Sequence, residues 1–496
     1  MLNYIIGLDL GTTTCKAIGL DAHSHVAASA SSTHSMNSPK PGWAVQDAPD
    51  IWSGALSALK ELAFQIPTKQ IAGICLSGAM QSLLPVDKHF QPITPAMTWA
   101  DNRSAAHARQ LRAMVKGQEL LQRVGCPLQH VYNPARLRWW FKEAPEVAAQ
   151  TGKFVAIKDW ILYQLSGKLV TDLGLASTTG MLDVRRLTWD EEAIAISGVN
   201  QKQLPDLVRP EEIVGGLTGE AASITGLPEG LPIIAGTSDG GLANLGSGAV
   251  VPGQRIVTVG TSGAVRKIVD QPWVDPQGRT WCYVLMEGRW FAGGAINNGG
   301  LTLQWVRERF YPDILGDAGY ARMIEDAAAV VPGAEGVIML PYFTGERSPY
   351  WDPDAAAVIL GLGLHHKRGH IARAAMEGVA YCLANIWEVL HGALKDGGKP
   401  VYLTGGISRN PVWAGIVADV LGVPMITVEA ADASAVGAAM LGHLALGNVA
   451  SLEEIARNIK EGAKIDFSPD HHAFYSEQHL RFKLLYQAFA KHAGSA

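Results

Sequence analysis

One local pattern is written twice in this chain. "YIIGLDLGTTTCKAIGLD" (residues 4–21) and "RIVTVGTSGAVRKIV" (255–269) each place an apolar run, a Gly-Thr turn and a second apolar run in series. Such a run predicts two strands joined by a tight turn. A cation follows each turn, Lys16 in the first and Arg266 in the second. Gly11 and Gly260 lie about half the chain apart, which predicts a duplicated architecture with one hairpin per half. The match is short enough to arise by chance as well.

Length agrees with two halves. Single cores stop growing at roughly 250–300 residues, and the chain has 496. We place the boundary at residue 245, giving domains 1–245 and 246–496. Strands alternate with helices along both, an α/β pattern. In the first, "VAASAS" extends the opening meander and a helix begins near Asp47 with Pro49 in its first turn. "IAGICLS" is a buried strand, "SLLPVDKHFQPITPAMTWA" predicts two strands around a turn, and 104–143 reads as largely helical. In the second, a long helix is expected from about His370 to Lys395, then strand and helix twice. The tail after Ser451 reads as helical and charged.

Charge and cysteines exclude several classes. A formal net charge of −5 without a Lys/Arg run argues against a nonspecific nucleic-acid binder. The five cysteines, Cys15, Cys75, Cys126, Cys282 and Cys382, form no CxxC pair. They predict neither a disulfide framework nor a zinc knuckle, and a reducing, cytoplasmic setting suits them. No secretory leader and no apolar run of about 18 residues is seen, so no membrane association is expected. "ASAVGAAMLGHLALGNVA" instead predicts a small-residue helix packed inside a domain.

The first turn asks for a ligand. No GxxxxGK[ST] loop is present, and no GxGxxG follows the first strand. A hairpin turn can still gather successive backbone N–H groups into an anion-binding nest, with threonine hydroxyls as added donors. Asp9 would repel a bare phosphate and fits only beside a cation such as Mg²⁺, held through water. A plain polar hairpin accounts for the turn alone equally well. A second such turn favours a polyphosphate gripped by both.

Five segments, in order, carry a resemblance: "GLDLGTTTCKA", "GTSDGGLANLG", "VTVGTSGAV", "GERSPYWDP" and "LTGGISRNPVW". The chain resembles the FGGY carbohydrate kinases over roughly residues 4 to 445. "SGAMQSLLPVDKHFQPITPAMTWADNRS", "AIKDWI" and "INNGGLTLQWVR" look most like the gluconate kinase branch. The family pattern expects Lys near position 137, where this chain has Leu137. The resemblance implies a two-domain actin/Hsp70/hexokinase-like (ribonuclease H-like) ATPase fold with its active-site cleft between domains. It also implies ATP and Mg²⁺ as cofactors and a small sugar or sugar-acid substrate; a homodimer stays open.

Residue by residue, the resemblance makes Asp239 the catalytic base that takes the acceptor hydroxyl proton. From the residues alone, Ser238-Asp239 reads first as helix-capping sequence, and the ordered family motifs reverse that preference. Asp9 would serve the metal–nucleotide complex. Gly11, Thr12, Thr13 and Lys16 would cradle phosphates from one half, and Gly260, Thr261 and Ser262 from the other. Gly300 and Gln304 would approach ATP, while Gly405, Gly406 and Asn410 would border the nucleoside. Met80, Gln81, Trp99, Asp101, Asn102 and Arg103 are expected to line the acceptor pocket. Arg103 is the first choice for meeting a substrate carboxylate, with a structural ion pair as the competing role; Lys158 and His130 are alternatives. The implied activity is phosphorylation of D-gluconate. A kinase for another polyol or ketose, such as xylulose or glycerol, or a noncatalytic nucleotide switch of the actin-like superfamily, stands as an alternative.

Overall fold

The computed structural model describes residues 4–115, 117–393, 399–429 and 432–490. The strands that matter are β1 (Tyr4–Leu10), β2 (Thr14–Asp21), β3 (Val26–Thr33), β4 (Ile71–Gly78), β5 (Ile213–Gly216), β6 (Pro232–Ser238), β7 (Arg255–Val259), β8 (Gly263–Val269), β9 (Val401–Thr404), β10 (Met425–Val428) and β11 (Glu461–Ile465). The helices are α1 (Ala48–Gln65), α2 (Asp239–Gly246), α3 (Gly300–Phe310), α4 (Arg368–Ala393), α5 (Pro411–Leu421) and α6 (Ala433–Ala445).

Contacts divide the chain into two compact units. The first holds Met1–Pro252, Val269–Phe291 and Asp432–Ile459; the second holds Gly253–Ile268, Ala292–Ala431 and Lys460–Ala496. A single cut at 245 therefore differs from the units found, because two later segments fold with the first half. The reason for one of them is backbone-to-backbone packing by α6. A Cβ on Gly7 of β1 would come within 1.9 Å of the Ala435 carbonyl oxygen, and one on Gly437 within 1.9 Å of the Leu242 carbonyl. Gly246 of α2 meets the Ala433 carbonyl in the same way. Glycine lets these backbones touch, and no larger residue fits without movement.

In the first unit the sheet order is β5–β6–β4–β1–β2–β3. β1 runs antiparallel to β2 and parallel to β4; β4 runs parallel to β6; β5 returns antiparallel to β6. Ile6, Leu8, Ile74, Leu76 and Ile233 bury the sheet against α1, whose Ile51, Ala55, Leu59 and Leu62 recur at helical spacing. In the second unit β8–β7–β9–β10–β11 lie side by side. Their directions repeat the first: antiparallel, parallel, parallel, antiparallel. The two hairpin loops are also equal in length, residues 11–13 and 260–262. Duplication, read from one short pattern, extends over five strands.

Four local expectations gain detail, and the tail is the one that changes. The helical stretch 104–143 is three helices, Ala105–Met114, Gly117–Val124 and Asn133–Glu143. The two strands within 82–99 are short and meet antiparallel through the Leu83–Met97 bridge, while their longer ladders are to Lys153–Val155 for Leu84–Val86 and to Val45–Gln46 for Ala96–Met97. The tail contains β11, which has no apolar alternation and exists through pairing with β10. The long helix α4 is present, while Lys395 lies outside the described residues. Among the described residues no helix is long and apolar enough to cross a membrane, and all five thiols are free and buried.

Candidate active site

The carboxyl ends of parallel strands are where open α/β sheets place ligands. In the first unit that edge is charged. Strand register puts Lys16, Asp9, Ser77 and Thr237 in one row across β2, β1, β4 and β6. Asp9 is half-buried. Its Oδ1 accepts from Ser77 Oγ at 2.5 Å and its Oδ2 from Ser434 Oγ at 3.1 Å. Loss of water pushes its pKa up, while the two hydroxyl bonds pull against that. The Lys16 ammonium is hydrogen-bonded to Asp432 instead. Asp9 is thus a desolvated carboxylate held by neutral donors. That donor set fits a hard, hydrated cation such as Mg²⁺.

The 11–13 turn turns its carbonyls inward. His34 Nε2 lies 3.1 Å from the Gly11 carbonyl, the His34 amide donates to Thr13 O at 3.0 Å, and Gln46 Nε2 donates to Thr12 O at 2.6 Å. Gly11 N–H closes the loop on Thr14 O at 3.0 Å. The amides of Thr12 and Thr13 donate to no protein acceptor among the described residues. With carbonyls occupied and amides left over, the turn has the polarity of an anion nest.

Asp239 is the first residue of α2, half-buried, beside that same edge. Ser238, not Asp239, is the helix cap: its side chain accepts from Gly241 N–H at 3.3 Å. Asp239 Oδ1 accepts from Gly240 N–H at 2.6 Å. Ser238 aligns with Gly78 and Leu10 across the sheet. Two strand spacings, roughly 10 Å, therefore separate the β1 and β6 ends.

Acceptor candidates divide into two groups. Ala79 N–H bonds Leu10 O at 3.1 Å, which delivers Met80 and Gln81 to the strand ends. Gln81 Nε2 donates to Tyr283 Oη at 3.2 Å. Trp99 Nε1 donates to Thr12 Oγ1 at 3.2 Å, so this segment abuts the 11–13 turn. Asp101 and Arg103 instead bind each other: Arg103 Nε reaches Asp101 Oδ1 at 2.8 Å and Nη2 reaches Oδ2 at 2.6 Å. The guanidinium lies 3.4 Å over the Trp43 ring. This is the structural ion pair weighed against a substrate role. Asn102 is exposed, and its amide holds Gly42 O at 2.7 Å. Lys158 is wholly buried between Asp172, 2.9 Å away, and the Ala235 carbonyl. Burial pushes His130 down to about 4.

The second unit gathers its own set. Gly300 N–H donates to Gly260 O at 2.7 Å, and Gly299 and Leu301 N–H donate to Thr261 O at 3.0 and 3.1 Å. A Cβ on Gly300 would sit 2.7 Å from Gly260 O. Gly405 has φ +87°, and a Cβ there would meet Val259 O at 2.5 Å. The 260–262 turn, the start of α3 and Gly405 therefore converge. Gly406 opens the 3₁₀ turn that follows, and Asn410 caps α5 by accepting from Trp413 N–H at 3.1 Å. Gln304 donates to Glu308 at 2.9 Å on an exposed part of α3. Apart from Asp9, one cluster among the described residues has metal-ligand chemistry: Glu335, His365 and His366. There His366 Nδ1 accepts from Gly363 N–H at 2.7 Å. That bond leaves the proton on Nε2 and suits a hydrogen-bonded surface cluster better than a metal ligand.

Sequence reasoning missed Ser77, Ser434, Asp432, His34 and Gln46. A polar residue closing an apolar run marks Ser77. Nothing local marks Ser434, 425 positions from Asp9.

The model of the FGGY family of carbohydrate kinases, N-terminal domain, matches residues 4–246, and that of its C-terminal domain matches 256–446. The chain belongs to the FGGY family of carbohydrate kinases. It is 35% identical to a gluconokinase of Bacillus subtilis (strain 168), over 92% of this chain and 90% of that one. The crystal structure of a gluconate kinase from Lactobacillus acidophilus superposes with a TM-score of 0.93 at 30% identity, covering 98% of each chain. A ligand-bound xylulose kinase from Lactobacillus acidophilus does so at 0.92 and 30%, again over 98% of each. The FGGY chain thus has the two-domain α/β fold of the actin/hexokinase-like ATPases. Its activity is ATP-dependent phosphoryl transfer to an alcohol group of a carbohydrate.

Proposed function

We propose that this FGGY kinase transfers the γ-phosphoryl group of ATP to the terminal hydroxyl of D-gluconate, giving 6-phospho-D-gluconate and ADP. The observation that carries the reading is the 35% identity with a gluconokinase along nearly the whole of both chains. The phosphate-binding amides of the 11–13 and 260–262 turns serve the nucleotide. Asp9 would hold Mg²⁺ through water, and the ion would supply neutralisation of phosphate charge. Asp239 accepts the proton of the attacking hydroxyl as the new P–O bond forms and the bond to the ADP oxygen breaks. Ser238, not Asp239, caps α2, and Asp239 stands at the helix start beside the carboxyl ends of the parallel strands. Free thiols suit a cytoplasmic setting.

A ketose acceptor is the second reading, favoured by the likeness to a xylulose kinase at equal identity. An acceptor screen for ADP release, with NMR location of the phosphorylated carbon, separates the two. Gluconate turning over at least about tenfold better in kcat/KM than xylulose or glycerol supports the first; the reverse order overturns it.

A further inference from the structure

Among the described residues, one wholly buried arginine of the first unit forms no hydrogen bond or ion pair with a carboxylate. Arg136, in the helix Asn133–Glu143, is among the largest wholly buried side chains. Its Nη1 donates to the Gln81 carbonyl and its Nη2 to the Thr98 carbonyl. Its Nε finds no acceptor among the described residues. The carboxylate that bears on its charge is Asp101. That group is already saturated, taking two side-chain bonds and a backbone bond from Arg103 and another from Ala44 N–H at 2.9 Å. His130 is neutral at pH 7, because burial and the Arg136 and Arg112 cations hold it down at about 4. Burial also pushes Arg136 down, to about 10, which leaves it charged at neutral pH. Asp101 and Arg103 cancel, and Arg136 is left over. A buried charge is ordinarily paired.

The two carbonyls it holds belong to the segments that line the candidate acceptor site. Gln81 has φ +57°, a backbone state uncommon for a residue with a side chain. Its amide side chain is fixed as well, by Tyr283, which pairs with Tyr132 at 2.8 Å between hydroxyls. Thr98 precedes Trp99, the residue bonded to the phosphate turn at Thr12. The fork of Arg136 thus sets the spacing of Met80–Gln81 against Trp99 from behind. A guanidinium does this because its donors are planar and fixed.

We propose that Arg136 is a positioning residue that determines acceptor specificity: it ties the two acceptor-lining segments together and lends that site an uncancelled positive charge, which selects an anionic sugar acid over a neutral polyol. This inference rests on the sugar-acid reading above. Arg136 does not touch substrate; it acts through Gln81, Thr98 and its field, which a buried site screens weakly.

The test compares D-gluconate with D-glucitol, a neutral chain of equal length, in the wild type, Arg136→Lys and Arg136→Met. In Arg136→Met the gluconate-to-glucitol ratio of kcat/KM should fall at least about tenfold, mainly through KM for gluconate, with KM for ATP unchanged. Arg136→Lys keeps a charge and should restore most of the ratio at pH 7. A buried lysine titrates lower than arginine, so that ratio should decay between pH 7 and 9 in Arg136→Lys and stay level in the wild type. A purely structural role would not produce this pH dependence. Equal loss on both acceptors with no pH dependence in Arg136→Lys overturns the inference while leaving the gluconate reading intact. Wild-type enzyme that prefers neutral acceptors to sugar acids overturns that reading and the charge selection with it. If Arg136→Met does not fold, the pH profile of Arg136→Lys decides alone.

Discussion

The two hairpin edges share a backbone lattice and differ in charge. Counting from the turn glycines, Asp9 of β1 corresponds to Thr258 of β7. Each reaches the neighbouring parallel strand in the same way: Asp9 bonds Ser77 of β4 at 2.5 Å, and Thr258 bonds Thr404 of β9 at 2.8 Å between hydroxyls. Across the antiparallel partner, Lys16 faces Asp9 where Ala264 faces Thr258. Duplication has kept the strand directions and the three-residue turns and has changed the chemistry on them. Either turn can offer backbone amides to an anion, whereas the carboxylate of Asp9 has no counterpart at Thr258. The two rows therefore differ in their side chains: a carboxylate beside Ser77 in the first unit, and a hydroxyl beside Thr404 and Arg266 in the second.

The largest expected effect removes the base. Asp239→Asn should lower kcat by about a thousandfold, within the range of a positioned base, with nucleotide affinity by calorimetry little changed. Turnover near the wild-type rate would break the contrast at its centre. Next come the glycines that join α6 to α2 and β1. Gly437→Ala or Gly246→Ala should destabilise by about 3 kcal/mol in denaturant titration. Gly260→Ala, where an added Cβ meets nothing within 4 Å, should stay under about 1 kcal/mol.

Third, Asp9→Asn should cost about thirtyfold in kcat/KM at fixed Mg²⁺ and raise the Mg²⁺ needed for half activity, while Thr258→Val costs under about threefold. Equal losses would show that the duplicated rows do equal tasks. Asp9→Asn should also raise Tm at pH 7 without nucleotide. The folded-state pKa of Asp9 is raised, so ionisation favours the unfolded chain, and protonation stabilises the fold. The advantage of the asparagine should fade as pH falls through the raised value and vanish below the ordinary 3.8. The smallest effect is at Lys16. It and Asp432 are 31% and 30% exposed, so Lys16→Ala should change stability by less than about 1 kcal/mol. A rise in KM for ATP beyond about fivefold would assign the ammonium to phosphate rather than to Asp432.

Features carried by a few adjacent residues were legible in the sequence. The two turns, the strands around them, the helix after Asp47 and the Ser238-Asp239 junction all follow from spacing and turn chemistry. β11 was not legible, because an exposed edge strand has no apolar alternation and is made by the strand beside it. The membership of α6 was half legible: its small residues announced close packing but not against which element.

What the chain's order of residues determined by itself is the backbone machinery: two Gly-Thr turns between apolar strands, repeated half a length apart, with an aspartate before the first and another at a helix start. Tertiary structure alone decided the distant partners: Ser434 on Asp9, Asp432 on Lys16, and the Gln81 and Thr98 carbonyls on Arg136. Turn and strand preferences act over a few bonds, while a side chain's ionic and hydrogen-bonding partners depend on which distant strand or helix the sheet order sets beside it.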